Sequence, residues 1–197
     1  MSTGAQKKEH GTTVQQHRLH FEYLPAYAQF LLENHQRAFT LALLRISREM
    51  NVPLLKYFAG MPEEALIALS MQSTGELLTY FSQNNVQGFI DKSVRSWQDN
   101  QLPLIQYDEV VVEDISTVSY ARRKAFREFL PFYTQDSAAF LDITDEIDRF
   151  SVALEEVCYK TLFEMKQQKI NEHHHGFITA AGEPGRGATF TIYIPVT

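Results

Sequence analysis

The residues best suited to chemistry lie toward the C-terminal end: three imidazoles in a row, His173-His174-His175, and a Gly-x-Gly turn, Gly185-Arg186-Gly187. Three imidazoles suit a transition metal, but neighbouring residues on a strand point to opposite faces, so one chain rarely brings all three to one ion. A Gly-x-Gly turn lets backbone amides approach a phosphate, yet taken alone it more often marks a tight hairpin. His10, His17 and His20 add imidazoles, the last two on one helical face, but no carboxylate pattern completes a metal motif. A surface role is the expectation for all of them, and no metal is expected.

Asp142, Asp145, Glu146 and Asp148 cluster ahead of Arg149. General acid–base catalysis would need two of these carboxylates paired in a pocket, whereas near the start of a helix they simply complement its dipole. The structural reading is preferred. Cys158, the only cysteine, stands in an apolar helical stretch, as a small buried hydrophobe does, and no base beside it would activate the thiol. One cysteine excludes an internal disulfide and a cysteine-based zinc site, and fits a reducing, cytoplasmic compartment. Haem iron needs an axial ligand, usually a histidine in the later part of a helical domain. Between Gln36 and Glu172 there is no histidine, and His35 comes too early. No catalytic residue is assigned, and the chain is read as not an enzyme.

A net charge of −6 removes the positive field that nucleic-acid binding requires. Arg122-Arg123-Lys124 with Arg127 is locally basic, but Glu113, Asp114 and Glu128 make a solvated helix face the better reading. Met1 to Gly11 has no apolar signal core, and no apolar run reaches membrane length. The expectation is a soluble protein with neither a nucleic-acid nor a membrane partner.

The elements that must position these residues are mostly helices. With 197 residues, 44% hydrophobic and 12% aromatic, the chain can bury one aromatic-rich core and carry an appendage. A short helix is expected over Val14–Leu24, then a longer one opened by Pro25 and running to about Met50, with Tyr27, Leu31, Asn34, Ala38 and Leu41 on one stripe. Asn51-Val52-Pro53 interrupts it, and a short helix follows over Leu54–Phe58. Pro62 opens a helix with stripe Leu66, Leu69, Ser73, Leu77 and Tyr80, and Gln83-Asn84-Asn85 is a turn. Phe89, Ile90, Val94 and Trp97 share a side of the next helix, which ends near Asn100. From about Val111 to Phe132, Ile115, Val118, Phe126, Phe129 and Tyr133 are helically spaced, with Arg122 as an interruption.

Asp136 or Ser137 can cap the final helix, whose positions Phe140, Ile143, Ile147, Phe150, Leu154 and Val157 form a heptad seam. Such a seam fits a long core helix of one bundle as well as pairing with a second copy. Around Asn171 the composition turns to Thr, Gly and β-branched residues. Phe177-Ile178-Thr179 and Ala188 to Ile194 read as the strands of a hairpin.

His175-Gly176-Phe177-Ile178 followed by Gly185-Arg186-Gly187-Ala188-Thr189-Phe190-Thr191-Ile192-Tyr193-Ile194-Pro195 resembles the end of the ATP-binding domain of sensor histidine kinases, over about 22 residues. Phe177 replaces the family's second glycine. The family's magnesium-holding Asn helix, its Asp-x-Gly-x-Gly adenine loop and its phosphoacceptor histidine have no counterpart upstream. The tail, with its turn residues Gly185, Gly187 and Thr189, therefore reads as a remnant of kinase ancestry, and ATP is not expected as a cofactor.

Val52 to Phe58, Asp114 to Phe126 and Phe129 to Thr134 resemble the helical region ahead of PAS modules in some cytoplasmic sensor kinases, which is similar in layout to the non-haem globin domains of RsbR-type regulators. This likeness implies a globin-like bundle without haem, dimerising through terminal helices, with a kinase or response regulator as partner. The resulting expectation is a mainly α, globin-like helical bundle with a short C-terminal β-hairpin. It divides into a flexible start (1–13), a helical sensor-like domain (14–170) and the tail (171–197). Its expected role is non-catalytic sensing of a ligand or partner, with Tyr57, Phe58, Tyr80, Phe81, Trp97, Tyr120 and Phe126 as candidate pocket residues and the heptad seam as candidate dimer contact. Such aromatics equally suit plain core. The alternative role is a nucleotide-binding fragment that completes a partner's ATPase sheet.

Overall fold

The computed structural model describes residues 19–99, 105, 109–174, 177–183 and 187–193, with only the backbone given for 170–174 and for the two strands. The molecule is mainly helical. Helix α1 is Leu24–Asn34, α2 Gln36–Glu49, α3 Glu63–Ser82, α4 Val86–Gln98, α5 Val112–Tyr133 and α6 Ser137–His174, with a 3-10 helix over Pro53–Phe58. Helix α1 packs on α3, α2 on α3 and α5, α5 on α6, and α4 on α6 and α3.

The core between these helices is aromatic. Phe39, Phe81, Phe126 and Phe150 are all fully buried. Phe126 lies 4.8 Å from Phe39 and 5.9 Å from Phe81, centroid to centroid, and Phe81 meets Phe150 edge-on at 4.6 Å. Such offset and edge contacts suit the ring quadrupole and add about 0.5–1.5 kcal/mol per pair to area burial. Tyr27 joins this core with its ring fully buried, and its hydroxyl donates to the Phe126 carbonyl at 2.6 Å.

Local chemistry explains most boundaries. Pro25 stands in the first turn of α1 and Pro62 just ahead of α3, where a missing amide hydrogen costs nothing. The Asn85 side chain accepts the Gly88 N–H at the start of α4. Asp136 accepts the Ala138 N–H at 3.0 Å as α6 begins. Asn51 and Asn84 end α2 and α3 in the left-handed region, at φ of 52° and 51°, a conformation that asparagine tolerates better than most residues. Asn84 also brackets the chain ahead of α1, accepting from the Phe21 N–H at 3.2 Å and donating to its carbonyl at 2.7 Å.

Several expectations change. The single helix from Pro25 to Met50 is two, because the backbone at His35 leaves helical geometry at φ −136°, ψ 8°. That break rotates the buried face: Tyr27 and Leu31 are buried as the stripe requires, but Asn34 and Ala38 are exposed and Leu41 is 38% exposed. Phe39, Ala42 and Ile46 take over the core. On α3 the face is shifted as well. Thr74, Leu78 and Phe81 are buried with Leu66 and Leu77, while Leu69 and Ser73 are exposed. Residues 19–23 are not helical, and Val14 to Arg18 lie outside the described residues.

Helix α6 continues past Asn171 to His174, so His173 and His174 close a helix and do not open a strand. At 1.5 Å per residue its 38 residues span about 57 Å. Beyond it, Phe177–Glu183 (β1) and Gly187–Tyr193 (β2) pair antiparallel, from Phe177 opposite Tyr193 to Glu183 opposite Gly187. The intervening turn residues, Gly185 among them, lie outside the described residues.

Candidate functional site

The site begins with an unusual arginine on α5. Along this helix Ile115, Phe126 and Phe129 are buried and Val118 half-buried, so the apolar stripe faces the core, and Arg122 falls on the same stripe. The residue is half-buried, and burial lowers its pKa while Cys158 and Glu155 oppose the shift. Arginine stays protonated inside proteins, so a cation sits here, partly withdrawn from water.

A cavity of about 170 Å³ opens beside it, between α4, α5 and α6. Helix α4 supplies Phe89, Ser93 and Trp97; α5 supplies Ile115, Val118, Ser119 and Arg122; α6 supplies Leu154, Glu155 and Cys158. Leu54, Ile105 and Val110 complete a lining that is apolar apart from a few groups.

Those few groups are not equally satisfied. Helical serines and threonines commonly return their hydroxyl to the carbonyl one turn back. Ser93, Ser116, Thr117, Thr144, Ser151 and Thr161 all do so here. Ser119, only 3% exposed, does not: its Oγ has no hydrogen-bond partner and it lines the cavity. Glu155 Oε1 is likewise buried without a hydrogen bond.

The ion pairs near the cavity do not include Arg122. Arg127 donates to both carboxylate oxygens of Asp148, at 2.8 and 2.7 Å. Arg123 reaches Glu155 at 3.6 Å and Asp148 at 4.0 Å. These two carboxylates thus serve Arg123 and Arg127. Among the described residues no hydrogen bond or ion pair is formed by Arg122, whose guanidinium lies 5.9 Å from the Phe150 ring centroid. Cys158, facing the same space, has its thiol pushed up to about 11 by burial, against the pull of Arg122.

Of the seven aromatic residues expected in a pocket, only Trp97 lines this cavity. Phe81 and Phe126 are consumed by the core. Tyr80 packs on Phe89 at 5.8 Å, while Tyr120 is 50% exposed. Tyr57 donates to Glu109 at 3.1 Å, and the half-buried Phe58 ends the 3-10 helix. The residues missed are Ser119, Arg122, Glu155 and Cys158. The available signal was the break that Arg122 makes in the stripe of α5.

The proposed dimer seam is also occupied. Ile143, Ile147, Phe150 and Leu154 are buried in the chain's own core, and Phe140 and Val157 pack against it. In the acidic cluster, Asp142 and Asp145 are exposed and Asp148 pairs with Arg127, but Glu146 is buried. It accepts the N–H groups of Glu22, Tyr23 and Leu24 at 2.7, 3.0 and 2.7 Å, capping α1 from a distant helix. His35 sits among Phe30, Phe129 and Phe132, with centroids 4.9–5.8 Å apart. His20 meets Asn84 at 3.2 Å, and His10, His17 and His175 are outside the described residues. Gly187 and Thr189 belong to β2. Among the described residues no group of three or more His, Cys, Asp or Glu is placed to hold a metal, and no helix is long and apolar enough to cross a membrane.

Compared with family models, curated proteins and solved structures, the chain matches none of them.

Proposed function

We propose that the chain is a non-catalytic sensing module that binds a compact ligand between α4, α5 and α6 and passes the occupancy on through α6. The observation that carries this reading is the apolar cavity with the Ser119 hydroxyl left unpartnered inside it. Buried polar groups are normally satisfied, because each one left unpaired costs about 1–3 kcal/mol. A ligand that pairs with this one recovers that cost. Helix α6 supports the second half of the reading: it lines the cavity through Leu154, Glu155 and Cys158, contributes its last core residue at Leu162, and continues to His174.

A globin-like arrangement and a closed C-terminal hairpin are part of the proposal, as is a place in two-component signalling, which the kinase-like residues from His175 to Pro195 support. Pairing of two copies would use the outer face of α6. Leu141, Val152 and Phe163 are 67%, 59% and 68% exposed, and their eleven-residue spacing keeps them within about 40° of one another around the helix. Light scattering of the full chain tests this: Phe163→Glu halves the mass of a dimer formed this way, and a wild-type chain that is monomeric throughout contradicts it.

Ligand binding itself is tested by thermal unfolding of the full chain with benzyl alcohol and indole, ring compounds of suitable size. The reading expects a raised melting temperature that Ser119→Leu, which fills the cavity, abolishes. No shift with any compact ring compound at millimolar concentration contradicts it.

A further inference from the structure

The cavity also specifies the charge of its occupant, an inference that rests on the ligand-binding reading above. An ionised guanidinium taken out of water without a carboxylate partner costs several kcal/mol, and a well-aligned, hydrogen-bonded counter-charge in the same low-dielectric space offsets part of it. At this site the ion pairs of the neighbouring anions go to other arginines. Asp148 is held by Arg127, and Glu155 is reached by Arg123. Arg122 and Glu155 are the charged residues at the cavity wall, and of the two only Glu155 has an ion-pair partner within 4.0 Å, Arg123.

Size narrows the choice further. Drug-sized ligands occupy pockets of roughly 300–1,000 Å³, and this cavity holds about 170 Å³. An apolar cavity of about 150 Å³ accommodates benzene. The occupant therefore has room for one ring or a short branched chain and little more. Phe89, Trp97, Val118 and Leu154 offer it an apolar bed.

We infer that Arg122 and Ser119 form the anion-binding end of this cavity, and that its ligand is a compact monocarboxylate with an aromatic or short aliphatic body. The guanidinium donates to the carboxylate in the paired geometry that arginine favours, and the Ser119 hydroxyl supplies a further donor. The body of the ligand lies against α4 and α6. Glu155 disfavours dianions, because its carboxylate lines the same space.

The probes are benzoate, its neutral counterpart benzyl alcohol, and acetate, which carries the charge without the ring. Calorimetric titration of the full chain is expected to show benzoate binding at least about tenfold more tightly than either, a difference worth about 1.4 kcal/mol. In Arg122→Met, which keeps the volume and removes the charge, the preference for benzoate over benzyl alcohol disappears while benzyl alcohol still binds. Equal affinity for benzoate and benzyl alcohol in the wild type overturns the inference and leaves the cavity reading intact. Binding of acetate as tightly as benzoate overturns the apolar half of the inference. Failure of all three to bind overturns both it and the ligand-binding reading. Should Arg122→Met not fold, the wild-type comparison alone decides.

Discussion

Two charged side chains withdrawn from water, the buried Glu146 and the half-buried Arg122, have opposite surroundings. Glu146 on α6 is 6% exposed and receives three backbone N–H groups at 2.7–3.0 Å. Arg122 on α5 lies beside an apolar cavity, and among the described residues no anion pairs with it. The first is a complete arrangement. A helix N-terminus leaves its first amides unpaired and positive, and a carboxylate supplied from another helix satisfies both conditions at once. The second is complete only when something enters. Burial of charge alone therefore does not mark a functional site; burial without a partner, next to space, does.

This contrast can be broken at either end. The largest expected effect is at the satisfied charge. Glu146→Ala leaves three N–H groups without their acceptor, and chemical denaturation should show a loss of about 3–5 kcal/mol. Glu146→Gln, which keeps one oxygen acceptor, should lose less. A loss under about 1 kcal/mol for the alanine variant would show that water replaces the carboxylate and that the cap is not structural.

The cavity thiol comes next. Burial holds Cys158 up to about 11 from an ordinary value of 9.0. Below pH 9 both folded and unfolded chains keep the proton, and the contribution is whole. As pH rises from 9 toward 11 the unfolded chain releases its proton first, so stability falls, by on the order of 2–3 kcal/mol. Cys158→Ala should flatten that part of the profile, and an unchanged slope would place the thiol in contact with water. Tyr27, also raised by burial from 10.0, adds a second decline at higher pH.

The smallest effect concerns the hydroxyl of Tyr27, whose partner is the Phe126 carbonyl at 2.6 Å. Tyr27→Phe keeps the ring in the core and should cost about 1 kcal/mol by denaturant titration. A cost several times larger would mean that this hydroxyl organises the aromatic cluster as well as pairing with it.

Much of the fold is legible in the sequence because its helix ends are local events. Pro25, Pro62, Asn84 and Asp136 each act on their own turn, and proline, asparagine and aspartate there have direct stereochemical reasons. The break at His35 has no such signal. Gln36–Glu49 continues a helical pattern, and only the packing of α2 against α3 and α5 selects a new face. Glu146 could not be interpreted from its neighbours either, since the amides it receives are 122–124 positions away in the chain.

The candidate site is less legible still. A cavity is a property of three helices together, and aromatic side chains large enough to suggest a pocket are the ones that fill a core, as Phe81 and Phe126 do. Arg122 was visible as an interruption of an apolar stripe. What the stripe could not show is that Arg123 and Arg127 form the ion pairs with Glu155 and Asp148, and that Arg122 forms none within 4.0 Å.

The most direct test is the stability of the ligand-free Arg122→Met chain at neutral pH. A cation partly withdrawn from water with no ion-pair partner is a cost to folding, so its replacement by an apolar side chain of similar volume should raise stability, by about 1 kcal/mol in denaturant unfolding. A loss of stability in that variant would show that Arg122 is already paired within the folded chain, and would contradict the account of an anion site held open beside the cavity.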